Sequence, residues 1–176
     1  MAAENKKDVL FEILSNEQQI LQRTDQKSFT LLSLLGVFSV FFIVHYTKIP
    51  PDIFNLTVIA LYFVSVLISI FFLLLVISPR IKDIEETIEE DKKAIAPTFF
   101  GGIIKYGSST EYAETLDALL ENPKITYEMF AKSIYSIGKI NAYKNKYFRK
   151  GIISFISAIT LELIIIVSLY VRMVFP

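Results

Sequence analysis

A single carboxylate, Glu162, stands in the middle of the apolar run GIISFISAITLELIIIVSLYV. An ionised carboxylate at the centre of a bilayer costs on the order of 3 kcal/mol unless it meets water, a partner or a proton. With helical spacing, Gly151, Ser154, Ser157, Ala158, Glu162, Ser168 and Arg172 share an arc of about 140°. That face is small and polar, and the opposite one is Ile, Leu and Phe. Two chemistries fit it. In one, the face lines or gates a pore around a symmetry axis, with Glu162 as a cation-attracting or protonatable ring. In the other, a protonated Glu162 bonds to Thr, Ser or Tyr of neighbouring spans while the small residues serve helix packing.

Just upstream, KINAYKNKYFRK interleaves Lys139, Lys144, Lys146, Arg149 and Lys150 with Tyr143, Tyr147 and Phe148. Rings that stack bases, alternating with cations that pair phosphates, form a surface for nucleotides or single-stranded nucleic acid. Lys105 and Tyr106 in a Gly-rich stretch, and Lys132 and Tyr135, are placed to extend it. The same residues also fit a plainer role, since Tyr and Lys at a membrane edge anchor spans and enforce topology. Enzyme chemistry finds little support. The chain has no Cys and one His, His45, with no acidic neighbour in sequence, which removes thiolate nucleophiles, zinc clusters and Ser-His-Asp triads. Phe99 to Gly102, FFGG, lacks the spacing of a phosphate-binding fingerprint. No metal or cofactor is expected. Hydroxyls in the first two spans, such as Ser33, Ser39, Ser65 and Ser69, read as ordinary helix-packing residues.

These groups need membrane helices to position them. Of 176 residues 53% are hydrophobic and 20% charged, too apolar for an ordinary soluble domain. The apolar residues gather in three blocks long enough to span. The expected fold is an all-α integral membrane protein with three transmembrane helices and an α-helical cytoplasmic region. Residues 1–28 form an amphipathic cytoplasmic helix that runs directly into a first span, 29–46. The start is charged and shows no cleavable signal peptide. Pro50 and Pro51 force a tight reversal, and 53–78 crosses back. Residues 79–150 make a cytoplasmic sensor and assembly region. Within it, Ile81, Ile84, Ile88 and Ile95 give a helix face that needs a partner, Ser108 with Glu111 fits a capping box for a helix over 109–121, and Asn122-Pro123 starts the final helix. The third span covers 151–172. Lys6, Lys7, Arg23 and Lys27 precede the first span, Arg80 and Lys82 follow the second, and Lys144, Lys146, Arg149 and Lys150 precede the third. By the positive-inside rule the N-terminus and 79–150 are cytoplasmic and the C-terminus is outside.

A succession of short segments resembles a known family. Asp25-Gln26-Lys27-Ser28 enters the first span, Ser78-Pro79-Arg80 leaves the second, and Phe99-Phe100-Gly101-Gly102 follows. Tyr112 and Leu116, then Lys146-Tyr147-Phe148-Arg149 entering the third span, complete it. In order and spacing over 20–165 the chain resembles the Pycsar transmembrane effectors of bacterial antiphage nucleotide signalling and relatives in systems such as Hailong. The resemblance implies a multi-pass effector of the bacterial inner membrane. Its control would come from a cyclic nucleotide, or a short single-stranded DNA or RNA oligomer, made by a cyclase or nucleotidyltransferase encoded nearby. Its action would disturb the membrane and cause growth arrest or cell death. Three spans of one chain enclose no sizeable pore, so conduction requires a homo-oligomer, for which a tetramer is favoured. The alternative is a non-conducting membrane scaffold that docks a soluble partner enzyme.

Overall fold

The computed structural model describes residues 2–78, 103 and 106–174. The expected helix through Ile81 to Ile95, the FFGG turn and Lys105 lie outside the described residues. Four helices and one short 3-10 turn account for nearly all the rest, and no strand occurs among the described residues. Three of the helices are long and apolar enough to cross a membrane.

Helix α1 spans Ala2–His45. It carries no Pro, so no backbone donor is lost, and it passes from its charged half into its apolar half without a break. A 3-10 turn, Tyr46–Lys48, ends it, and Pro50 and Pro51 prevent helical continuation. Asp52 then caps α2, Ile53–Ile77, by accepting from the Asn55 amide at 3.1 Å. The Asn55 side chain donates to the Pro50 carbonyl at 3.1 Å, which pins the reversal. Helix α2 rises about 37 Å at 1.5 Å per residue, enough to cross.

Helix α3, Ser109–Leu120, begins at the expected cap. Ser108 Oγ accepts from the Glu111 amide at 3.1 Å, and Glu111 accepts from the Gly107 amide at 2.9 Å. The return bond thus reaches one residue further back than in the usual capping box. Asn122 Oδ1 accepts from Lys124 and Ile125, and Pro123, whose missing amide proton is no loss at that position, opens α4, Pro123–Val174.

Contacts divide the chain into two units, Met1–Gln22 with Pro79–Ala142 and Arg23–Ser78 with Tyr143–Pro176. In the first, Phe11 meets Phe130 edge-on at 4.8 Å, and the Asn141 amide donates to the Glu17 backbone and carboxylate at 2.9 and 2.6 Å. In the second, Leu35, Phe42, Val58, Ile59, Tyr62, Val66, Ala158 and Ile165 form the core, and Phe42 stacks on Tyr62 at 4.4 Å. The buried residues of α2 are Asn55, Val58, Ile59, Tyr62, Val66, Ser69, Leu73 and Val76. Apart from Val58 they follow alternating steps of four and three, the spacing of a knobs-into-holes seam. The remaining faces of α2, including Leu67 and Phe71, are apolar and exposed, as lipid contact requires.

Candidate functional site

In the second unit α2 and α4 run antiparallel, and polar groups meet at successive levels between them. The Ser69 hydroxyl donates to the Gly151 carbonyl at 3.1 Å, and Ser65 Oγ lies 3.5 Å from Ser157 Oγ. On α4, Ala158, Glu162 and Ile165 form one buried stripe, so Glu162 is packed inside the protomer at 4% exposure. One of its oxygens, Oε2, has no hydrogen-bond partner among the described residues. Asn55 on α2 is likewise buried, and its Oδ1 has no partner among the described residues. Between α1 and α2 the Tyr62 hydroxyl donates to Ser39 at 3.4 Å. Of the polar face expected on α4, Gly151, Ala158 and Glu162 are buried, Ser154 and Ser168 half-buried, and Ser157 and Arg172 exposed.

Ion pairs close this bundle at both ends. Arg172 pairs with Asp52 of the α1–α2 reversal. At the other end Lys144 Nζ lies 2.6 Å from Asp25 Oδ1, with Lys144 only 8% exposed. Neither acid stands out alone, yet each precedes or caps a span at the level where a cation begins or ends another, and that matching of opposite charges was a usable signal.

The basic and aromatic residues divide between the two units. Tyr143 packs on Tyr147 at 4.4 Å, Tyr147 meets Phe72 of α2 at 6.1 Å, and Lys150 Nζ stands over both Phe72 and Tyr147. Lys146 and Arg149 are exposed beside this cluster, whereas Lys144 is committed to Asp25. In the first unit Lys139 Nζ sits 4.7 Å from the Tyr135 ring centroid. There too Tyr106 packs on Tyr112, and its burial pushes the phenol pKa up, so it remains a proton donor at neutral pH.

A family model described as the Pycsar effector protein domain matches residues 9–172. The chain belongs to the Pycsar effector family. The match extends the resemblance read over 20–165 and takes in Asp25, Asp52, Glu162 and Arg172. No curated protein and no solved structure matches the chain. As a Pycsar effector it is a multi-pass protein of the bacterial inner membrane, acting as a membrane effector in cyclic-nucleotide antiphage defence.

The outer ion pair of this Pycsar effector gives a pH expectation. The hydrogen bond from Arg172 holds the Asp52 pKa below the ordinary value of 3.8. A carboxylate whose folded pKa is depressed contributes above its unfolded pKa and loses that contribution as pH falls through the folded value. The Asp52–Arg172 tie should therefore hold across neutral and mildly acidic pH and release only below 3.8. Spin labels on Thr47 and Met173 should report one distance from pH 7 to 5 and a longer one in strong acid, with Arg172→Gln long throughout. A release already complete at pH 5 would contradict the assignment.

Proposed function

We propose that this chain is a non-enzymatic, nucleotide-controlled effector that assembles as a homo-oligomer, a tetramer being favoured, and opens the inner membrane to ions. The observation that carries the reading is Glu162, a buried carboxylate whose Oε2 has no partner among the described residues, in a span that meets α2 through Ser69–Gly151 and Ser65–Ser157. A carboxylate is kept at such depth at a cost of about 3 kcal/mol or more, and an ion path is the kind of function that requires one. The arrangement is the closed one. Turning α4 about its axis would bring Glu162 out to a surface shared by several copies, beside Ser154, Ser157 and Ser168, with Arg172 released from Asp52.

Control acts through the cytoplasmic residues. Lys146, Arg149, Tyr143 and Tyr147 take the phosphates and bases of a cyclic nucleotide or a short single-stranded oligomer from a partner cyclase or nucleotidyltransferase. In the first unit Tyr106, and Lys139 beside Tyr135, are candidate nucleotide contacts in their own right. Lys144, held by Asp25, positions the helix and leaves phosphate contact to its neighbours.

Planar-bilayer recording tests this. Purified protein is titrated with cyclic mononucleotides and with short single-stranded DNA. One class should switch the current on or off, and Glu162→Gln should lower cation conductance about tenfold, as expected for loss of a focusing charge. Lys146→Glu with Arg149→Glu should weaken the effective nucleotide and reduce the salt slope of its binding by about 2. Bilayers silent under every condition, with tight capture of a soluble partner enzyme, would favour the docking scaffold instead.

A further inference from the structure

Helices α1 and α4 enter the second unit side by side and leave an open groove of about 660 Å³ between them. Its walls change character along its length. Arg23 and Lys27 of α1 stand at the end nearer the charged halves of the helices, and both are exposed. Leu31 of α1 and Phe148, Ile152 and Phe155 of α4 line the part that runs into the apolar spans. From Arg23 to Leu31 is about 12 Å of helix axis, and α4 covers a similar depth from Phe148 to Ile156. By the charge bias the cationic mouth lies at the cytoplasmic surface.

The geometry points to this groove as a site for one anionic phospholipid of the cytoplasmic leaflet, with its phosphate at Arg23 and Lys27 and an acyl chain along Leu31, Ile152 and Phe155. Charge and polarity change in the order in which a lipid presents them, head group first and hydrocarbon after. A basic notch between spans at this depth suits anionic head groups. A nucleotide fits it poorly. Its base can lie against Phe148 and a phosphate against the cations and Gln26, but its sugar would face Ile152 and Phe155, where the polar group at hand, Thr30 Oγ1, already donates to the Gln26 carbonyl at 2.9 Å. An acyl chain has no such need. The lipid would brace α1 against α4 independently of Glu162 and of any nucleotide, so the assignment stands or falls apart from the permeability reading.

The test is native mass spectrometry of the full chain released from nanodiscs holding equal parts phosphatidylglycerol and phosphatidylcholine. The protein should keep phosphatidylglycerol in preference. Lys27→Gln and Arg23→Gln should each lower that preference about fivefold, the effect of one interfacial cation, while Lys27→Arg should preserve it. Ile152→Trp, which fills the apolar part and leaves both cations, should lower retention of phosphatidylglycerol as well. Melting temperatures near that of the parent protein would show that the Gln variants still fold. Equal retention of the two lipids, or an unchanged preference in Lys27→Gln and Arg23→Gln, would overturn the site. Displacement of bound phosphatidylglycerol by a short single-stranded DNA oligomer would overturn it too, by giving the groove to the signal.

Discussion

Asp25→Ala is expected to destabilise the membrane-spanning unit by about 3 kcal/mol, and Lys144→Met added to it should recover most of that loss. Lys144 Nζ is 2.6 Å from Asp25 Oδ1, and the two side chains are 10% and 29% exposed. Truncating the acid leaves a largely buried ammonium that has lost its counter-charge. The loss falls at the lower end of the range for buried pairs because Asp25 keeps some contact with solvent and Lys144 can stretch toward the membrane surface. Methionine has nearly the length of the lysine stem and no charge, so in the double variant nothing is left uncompensated. Unfolding in mixed micelles of rising dodecyl sulfate content gives all four corners of the cycle. A double variant no more stable than Asp25→Ala alone, or a single variant within a few tenths of a kcal/mol of the parent, would show that the pair is an ordinary exposed one.

That pair also marks what was and was not legible in the chain. Caps were legible because they depend on neighbours in sequence. Ser108 with Glu111, and Asn122 with Pro123, lie within one turn of the helices they start. The three spans were legible because length and apolarity are enough to identify them. The faces of the spans were harder. Helix α2 is apolar all round, so hydrophobic periodicity carries no information about which stripe packs inward. Only Asn55 and Ser69 betray it, and two polar residues are too few to set against Ser65 and Thr57, which are polar and lie outside the buried stripe. For α4 the arc from Gly151 to Arg172 was readable, but its partner was not. A polar stripe reads alike whether it meets another helix of the same chain or another copy. The structure places Gly151, Ala158 and Glu162 of that arc within one protomer. Lys144 was grouped with its basic neighbours for the same reason, since its acid stands far away in sequence, before another span.

Helices α2 and α4 pack tightly at Gly151, and there the second large effect is expected. A Cβ at this position would lie 2.9 Å from Leu73 Cδ2, 3.0 Å from its Cγ and 3.6 Å from its backbone nitrogen. Leu73 is fully buried, so it yields only by moving against packed neighbours. Gly151→Val therefore has to push the helices apart, at about 1–3 kcal/mol for overpacking. Separation also strips Ser69 of the Gly151 carbonyl, a further loss of about 1 kcal/mol. Helix propensity acts the other way, since any side chain stiffens a helical glycine, by up to about 1 kcal/mol for Ala. Gly36 and Gly138 isolate that term, because a Cβ at either meets nothing within 4 Å. Gly36→Ala and Gly138→Ala should each be neutral to stabilising, and Gly151→Val strongly destabilising, in the same dodecyl sulfate titration. Leu73→Ala supplies the missing room, so with Gly151→Val it should lose clearly less than the two separate losses together. If Gly151→Val unfolds with the parent, or if its effect simply adds to that of Leu73→Ala, the two helices do not meet at Gly151, and the seam that buries Glu162 loses its inner end.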